Sequence, residues 1–61
     1  MKNTKLKDRR ESLGLTQVEV AQKAEIAPRA YQNYENGDRL PRVDTAKLIA
    51  KALKTTVEKI F

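Results

Sequence analysis

The segment TQVEVAQKAEIAPRAYQNYENG, residues 16–37, decides the fold of this chain. Thr16 and Glu19 match the T-x-x-E capping box, in which the hydroxyl and the carboxylate each bind a backbone N–H that the first helical turn leaves without a partner. A helix is therefore expected to begin at Gln17. Pro28 lacks an N–H and has a preset φ angle, so it suits the first position of a second helix. The segment predicts two short helices joined by a tight turn.

The spacing of apolar residues extends this pattern toward the N-terminus. Leu6 and Leu13 recur at helical spacing ahead of Gly14, a residue that tolerates the left-handed conformation in which many helices end. This spacing predicts a first helix over about residues 3–13. The helix that begins with proline is expected to run over residues 28–35 as the third.

The remainder of the chain adds two further helices. A loop over residues 36–42 opens with the Asn-Gly pair that ends the third helix, and a fourth helix is expected over about residues 43–53. Its inward face is predicted to consist of Val43, Ala46, Ile49, Ala50 and Leu53. Thr55 and Thr56 are candidate caps for a last helical turn. No strand-like alternation occurs, so the sequence predicts an all-α fold: a compact single domain over residues 1–61, with five helices and a helix-turn-helix at helices 2 and 3.

Composition limits the classes of function. The chain has no Cys and no His, and Ser12 is its only Ser, so the sequence offers no Cys- or His-based metal site and no nucleophilic catalytic constellation. We therefore expect no enzyme, no metal and no cofactor. Thirteen Lys and Arg against eight Asp and Glu give a net charge of +5, which favours a polyanionic partner such as DNA, RNA or an anionic surface. The alternative is a solvated surface that keeps a small protein soluble.

Targeting and membrane signals are not evident. No apolar run reaches the roughly 18 residues of a membrane span, and the N-terminal MKNTKLKDRR lacks the apolar region of a signal peptide. We therefore expect a cytoplasmic protein without a membrane partner. Nothing in the sequence points to a small-molecule ligand.

The third helix carries the candidate base-reading residues. Tyr31 and Tyr34 are three residues apart and are expected to face the core with their hydroxyls at its rim, which leaves Arg29, Gln32 and Asn33 on the opposite face. Arg can donate two hydrogen bonds to guanine, while Asn and Gln can pair with adenine in the major groove. The alternative is that these three residues are an ordinary exposed polar face.

Groups around the third helix are candidates for phosphate contacts, which set the register of a protein on DNA without reading its sequence. They are Thr16 and Gln17 at the start of the second helix, Asn36 with the adjoining backbone, and the cations Arg39 and Arg42. The remaining lysines considered, Lys2, Lys5, Lys7 and Lys23, are interpreted as solvated charges.

The motifs LGLTQVEVAQKA, YENG and LIAKAL together resemble the Cro/CI-type (Xre-like) helix-turn-helix family, to which phage repressors belong, and the resemblance covers nearly the whole chain. It implies a lambda-repressor-like fold whose third helix enters the major groove of an operator, usually as a homodimer on a palindromic site. Gln17 matches a residue that typically contacts phosphate. The outer residues of the family's reading helix match Pro28, Arg29, Gln32 and Asn33. Arg10 and Glu35 occupy the places of a family ion pair, which we expect to be partly buried.

Several positions depart from the family pattern. Glu25 stands where the turn commonly has Gly, so it must either adopt the left-handed region or change the turn. Ala27 replaces the usual capping Ser or Thr, and Pro28 is a poor base reader, so specificity is expected to depend on the polar residues that follow. Lys54 stands where Gly is common, and Tyr31 is larger than the aliphatic residue usually buried there.

The sequence therefore predicts a sequence-specific DNA-binding transcriptional regulator, a repressor, that binds double-stranded operator DNA as a homodimer. An antitoxin-like or other protein-interaction regulator, in which DNA binding is secondary, is the main alternative, and an RNA-binding helical module is a third. The terminal apolar residues are candidates for a dimer contact, although closing the protein's own core uses them equally well. These residues are Val57, Ile60 and Phe61.

Overall fold

A computed structural model describes residues 4–61 and contains five α-helices within that range. No residue of this range lies in a β-strand, so the predicted all-α, five-helix fold is confirmed. The expected first residue of helix 1, Asn3, and the solvated charge assigned to Lys2 lie outside the described residues. The helices are α1 (Thr4–Ser12), α2 (Gln17–Lys23), α3 (Pro28–Asn36), α4 (Val43–Ala52) and α5 (Val57–Ile60).

The predicted capping box at the start of α2 is present. The Glu19 N–H donates to Thr16 Oγ1 at 3.1 Å, and the Thr16 N–H donates to Glu19 Oε1 at 2.9 Å. The hydrogen bond from the Thr16 backbone lowers the pKa of the exposed Glu19 carboxyl. Local sequence alone thus determines where this helix begins.

The third helix begins at the proline and ends at the glycine, as the sequence predicts. Pro28 occupies its first turn, and Ala27 precedes it without a side-chain capping bond. At the other end Gly37 adopts a left-handed φ of 81°, and the Asp38 N–H reaches back to the Asn33 carbonyl at 2.9 Å. The helix is one residue longer than predicted because Asn36 retains helical geometry before the glycine.

The turns after α2 and α4 have the same geometry but use charged residues. Glu25 has a φ of 59° and Lys54 a φ of 54°, the left-handed region that favours glycine. Each follows a Schellman pattern, in which the next residue's N–H bonds back five positions: Ile26 to Ala21 and Thr55 to Ala50, both at 2.9 Å. Glu25 therefore adopts the left-handed conformation in the turn, at a cost of about 1 kcal/mol.

The core forms where the inward faces of all five helices meet. Tyr31 from α3 is its largest fully buried side chain. The buried cluster consists of Leu6, Val20, Ala21, Ala24, Tyr31, Ile49, Ala50, Leu53 and Ile60. Outside this cluster, α1 is tied to the end of α4 by Arg9, which donates to the carbonyls of Leu53 and Lys54, both at 2.8 Å.

Two predictions about the core are wrong. Val43 was expected on the inward face of α4, but its side chain is 68% exposed because it lies in the first turn, beyond the edge of the buried cluster. The hydroxyl of Tyr31 was expected at the rim of the core, yet it is fully buried. Tyr34, by contrast, is half-buried and packs against the core.

Candidate nucleic-acid interface

The outer face of α3 presents polar side chains while its inner face is locked into the core. Arg29 and Gln32 are exposed and Asn33 is half-buried. Their i, i+3 and i+4 spacing places these three residues on one side of the helix, opposite the buried Tyr31 and Glu35. The arrangement gives α3 a fixed orientation and leaves hydrogen-bonding groups on its solvent side.

Pro28 and the cations of the following loop complete this surface. Pro28 is exposed at the first turn of α3 and has no N–H to donate. Asn36, the last residue of the helix, is also exposed, as are Arg39 and Arg42 in the loop that follows. Arg42 is the N-cap residue of α4, so its position depends on the start of that helix. Positive charge is therefore available next to the C-terminal end of α3.

The two candidate residues at the start of α2 are partly engaged within the protein. Both the hydroxyl and the backbone N–H of Thr16 are used in the capping box. Gln17 is half-buried, and its Nε2 donates to Glu35 Oε1 at 3.2 Å. The sequence did not reveal this contact, because it joins residues that are eighteen positions apart.

An ion pair joins α1 to α3 beneath this surface. Arg10 Nε donates to Glu35 Oε2 at 3.0 Å and Nη2 donates to Oε1 at 2.9 Å, while Nη1 donates to the Leu15 carbonyl at 2.9 Å. The Arg10 and Glu35 side chains are 13% and 5% exposed. The Arg10 guanidinium therefore holds α1 against α3 and also against the turn that precedes α2.

The charge state of this pair is set by competing effects. Burial pushes the pKa of the Glu35 carboxyl upward. Arg10, the neighbouring Tyr31 hydroxyl and Gln17 together outweigh this effect, so the pKa is lowered from its ordinary value. The hydrogen bond to Glu35 likewise raises the pKa of Arg10. Both groups are therefore charged at neutral pH.

The hydroxyl of Tyr31 lies near the carboxylate of this ion pair. This hydroxyl is buried, and no residue in the described part of the chain meets hydrogen-bond geometry with it. Burial raises the pKa of this hydroxyl, and the nearby negative charge of Glu35 raises it further. The hydroxyl is therefore neutral.

A comparison with known protein families identifies this arrangement. A family model described as Helix-turn-helix matches residues 6–60. The chain belongs to the Cro/CI-type helix-turn-helix family. This helix-turn-helix protein is accordingly a DNA-binding transcription regulator. Comparison with curated proteins finds no significant match.

Residues 4–61 of the helix-turn-helix protein contain neither a membrane-spanning helix nor a cluster of metal ligands. Across residues 4–61, each helix is too short or too polar to cross a membrane. In the same range, acidic residues do not cluster in the way that could hold a metal ion.

The helix-turn-helix protein also carries an apolar groove of about 420 Å³ beside the start of α4. Leu40 and Val43 on its wall are 87% and 68% exposed. We call this surface the apolar groove; it is lined by Leu40, Pro41, Val43, Ala46, Val57 and Phe61. Of the terminal residues singled out in the sequence, Ile60 is only 1% exposed and belongs to the core, whereas Val57 and Phe61 are half-buried in the groove wall.

Leu40 was missed by sequence reasoning, although a signal for it exists. It is an isolated large apolar residue in a loop that is otherwise polar, directly before Pro41. Such a residue has no helical period to place it in a core. An apolar loop residue of this kind indicates a contact surface.

Proposed function

We propose that this protein is a transcriptional repressor that binds its operator with α3 in the major groove. The observation that carries the proposal is the two-sided character of α3. Arg29 and Gln32 face solvent with Asn33, while the buried Glu35 ties the opposite side of the helix to α1. A rigid helix with Arg, Gln and Asn on one exposed face has the donors and acceptors that distinguish base pairs.

Phosphate contacts are proposed on both sides of this helix. Arg39 and Arg42 follow α3 and are exposed, and Asn36 lies at its last turn. On the other side, Gln17 has one amide N–H engaged by Glu35 and a second N–H that remains for a phosphate oxygen. We therefore assign Gln17 a contact whose direction is set by Glu35. Thr16 is proposed to contribute by placing the start of α2.

We further propose that two copies bind one palindromic operator. A single α3 reads only a few base pairs, and two copies on half-sites roughly 34 Å apart gain affinity by binding together. The apolar groove supports this proposal, because its exposed Leu40 and Val43 lie in the loop and first turn that follow α3 and Arg39. A contact there joins the protomers next to their DNA-facing sides.

Selection of bound sites from random duplex DNA tests the proposal. The expected result is a consensus with two inverted half-sites. Gln32→Ala should relax preference at one position of each half-site. Gln22→Ala, which changes another exposed glutamine, on α2, should leave the consensus unchanged. Bound fragments without a consensus would refute base reading by α3.

Repression is tested separately by transcription in vitro from a promoter that overlaps the selected site. The protein should lower transcript levels at the concentrations that occupy the site. A rise in transcript levels at those concentrations would make the protein an activator while leaving operator binding intact.

A further inference from the structure

A second groove, of about 320 Å³, lies on a different side of the molecule between the ends of α2 and α4. Three of its lining residues are lysines, and one large apolar side chain, Leu48, lies among them with 44% of its surface exposed. We call it the lysine groove; its lining consists of Lys23, Glu25, Leu48, Lys51, Ala52 and Lys54.

We propose that the lysine groove binds an acidic segment of another protein, one that places an aliphatic side chain on Leu48. Charge complementarity argues for the acidic partner, since Lys23, Lys51 and Lys54 surround the groove against one carboxylate, Glu25. The apolar side chains in the lining of the groove indicate that the acidic partner is a polypeptide. Leu48 and Ala52 offer a surface that an aliphatic side chain can cover and a phosphate cannot.

Strained backbone at the rim of the lysine groove also supports the proposal. Glu25 and Lys54, with φ angles of 59° and 54°, are the two non-glycine residues with positive φ within residues 4–61, and both line this groove. The equivalent positions after α1 and α3 are Gly14 and Gly37. Glycine avoids the strain of this conformation, so the two charged side chains are held at the groove rim at a cost to the fold.

Duplex DNA is the competing occupant, and the groove is less suited to it. Glu25 lies in the lining and repels phosphate, while Leu48 and Ala52 gain nothing from a phosphate backbone. The lysine groove is also separate from the apolar groove. At 100° per residue, Leu48 and Ala52 lie on one side of the buried stripe of α4, and Val43 lies on the other. A protein partner can therefore occupy the lysine groove while a second copy covers the apolar groove, so the inference does not rest on the proposed function.

The experiment uses the full chain and a synthetic twelve-residue peptide of Asp and Glu with one central Leu. The peptide is titrated into isotope-labelled protein while backbone amide shifts are recorded. The largest shifts are expected at Lys23, Leu48 and Lys54, and a peptide with Ser in place of Leu should bind about fivefold more weakly. Absence of binding, equal binding of the two peptides, or shifts spread over Lys5 and Lys7 would overturn the proposal. A nonspecific duplex of twelve base pairs that shifts the groove amides as strongly as the peptide would also overturn it.

Matched variants separate the groove from general positive charge. Lys51→Glu should weaken peptide binding about tenfold, whereas Lys7→Glu, the same charge change at an exposed position of α1, should change it less than twofold. Equal losses in the two variants would show that only net charge matters.

A glycine variant separates function from folding. Lys54→Gly relieves the left-handed strain, so its thermal midpoint should rise by about 4 °C while its peptide affinity falls about threefold. If the Lys54 side chain serves to bind a partner, its removal should raise stability and lower peptide affinity. Unchanged binding in this variant would show that Lys54 has no role in the groove.

Discussion

The Glu35 carboxylate of α3 accepts two parallel hydrogen bonds from the Arg10 guanidinium of α1, at 3.0 and 2.9 Å. Both side chains are largely removed from water. A charge in such a place depends on its partner, because the cost of leaving either one alone exceeds what the intact pair contributes. The orientation of α3, and with it the outer face proposed to read DNA, therefore depends on this pair.

Glu35→Gln should destabilise the protein strongly. Glutamine keeps the shape of the side chain but leaves the Arg10 charge without a counter-charge, so the free energy of unfolding is expected to fall by about 3 kcal/mol. Urea denaturation measures the change. Glu11→Gln, at an exposed position of α1, is the control and should change the same quantity by less than about 0.5 kcal/mol. Similar losses in both variants would show that the pair contributes nothing specific.

Stability should depend on pH in the acid range through the same residue. The pKa of Glu35 is lower in the folded protein than its ordinary value, so the folded state favours the ionised carboxylate. Its contribution is complete above the unfolded pKa of about 4.3 and is lost as the pH falls through the folded pKa. The thermal midpoint should therefore fall more steeply below about pH 4.3 in the native sequence than in Glu35→Gln. Parallel curves would contradict this assignment.

Local sequence rules predicted the framework of the fold well. The capping box of Thr16 and Glu19, the proline that begins α3 and the glycine that ends it act through backbone groups a few residues away. Such signals do not depend on how the helices pack. They placed the start of α2 and both ends of α3 within one residue.

Features that depend on packing were harder to predict. The helical spacing of apolar residues predicted that Val43 faces inward. Such spacing indicates which side of a helix faces the core but not where along the helix the core ends, so the 68% exposure of Val43 was not predicted. The depth of the Tyr31 hydroxyl was missed for the same reason. The bond from Gln17 to Glu35 joins distant residues, and no local pattern reveals it.

Tyr31→Phe should stabilise the protein. The buried hydroxyl lies near the Glu35 carboxylate but does not meet hydrogen-bond geometry within residues 4–61, so removing it relieves a loss of hydration that is only partly compensated. The free energy of unfolding is expected to rise by about 1 kcal/mol in urea denaturation. Tyr31→Leu serves as the control for packing and should lower it by about 2 kcal/mol or more. A loss of stability in the Phe variant would show that the hydroxyl donates to Glu35 in solution.

Arg29→Ala should alter sequence preference. If Arg29 donates to a guanine, its loss should cost roughly 1 to 3 kcal/mol on the selected operator and relax preference at that one base pair. Binding to a set of single-site operator variants measures both effects. An unchanged order of preference would remove Arg29 from the base-reading set.

Arg42→Ala should weaken binding without changing preference. An exposed cation at the N-cap of α4 is suited to a phosphate, which carries no sequence information. All operator variants should lose affinity by the same factor, and the slope of log affinity against log salt should decrease by about 1. A loss confined to particular base pairs would place Arg42 among the base readers instead.

Leu40→Ser combined with Val43→Ser should separate the two copies on the operator. Both side chains lie exposed in the apolar groove, and neither belongs to the buried cluster, so the fold should be retained. If a second copy covers them, affinity for a full palindrome should fall toward that for one half-site, while half-site affinity stays constant. Leu48→Ser, which removes an exposed leucine outside the apolar groove, is the control and should leave both affinities unchanged. Equal losses on the full site and the half-site would instead place the groove against DNA.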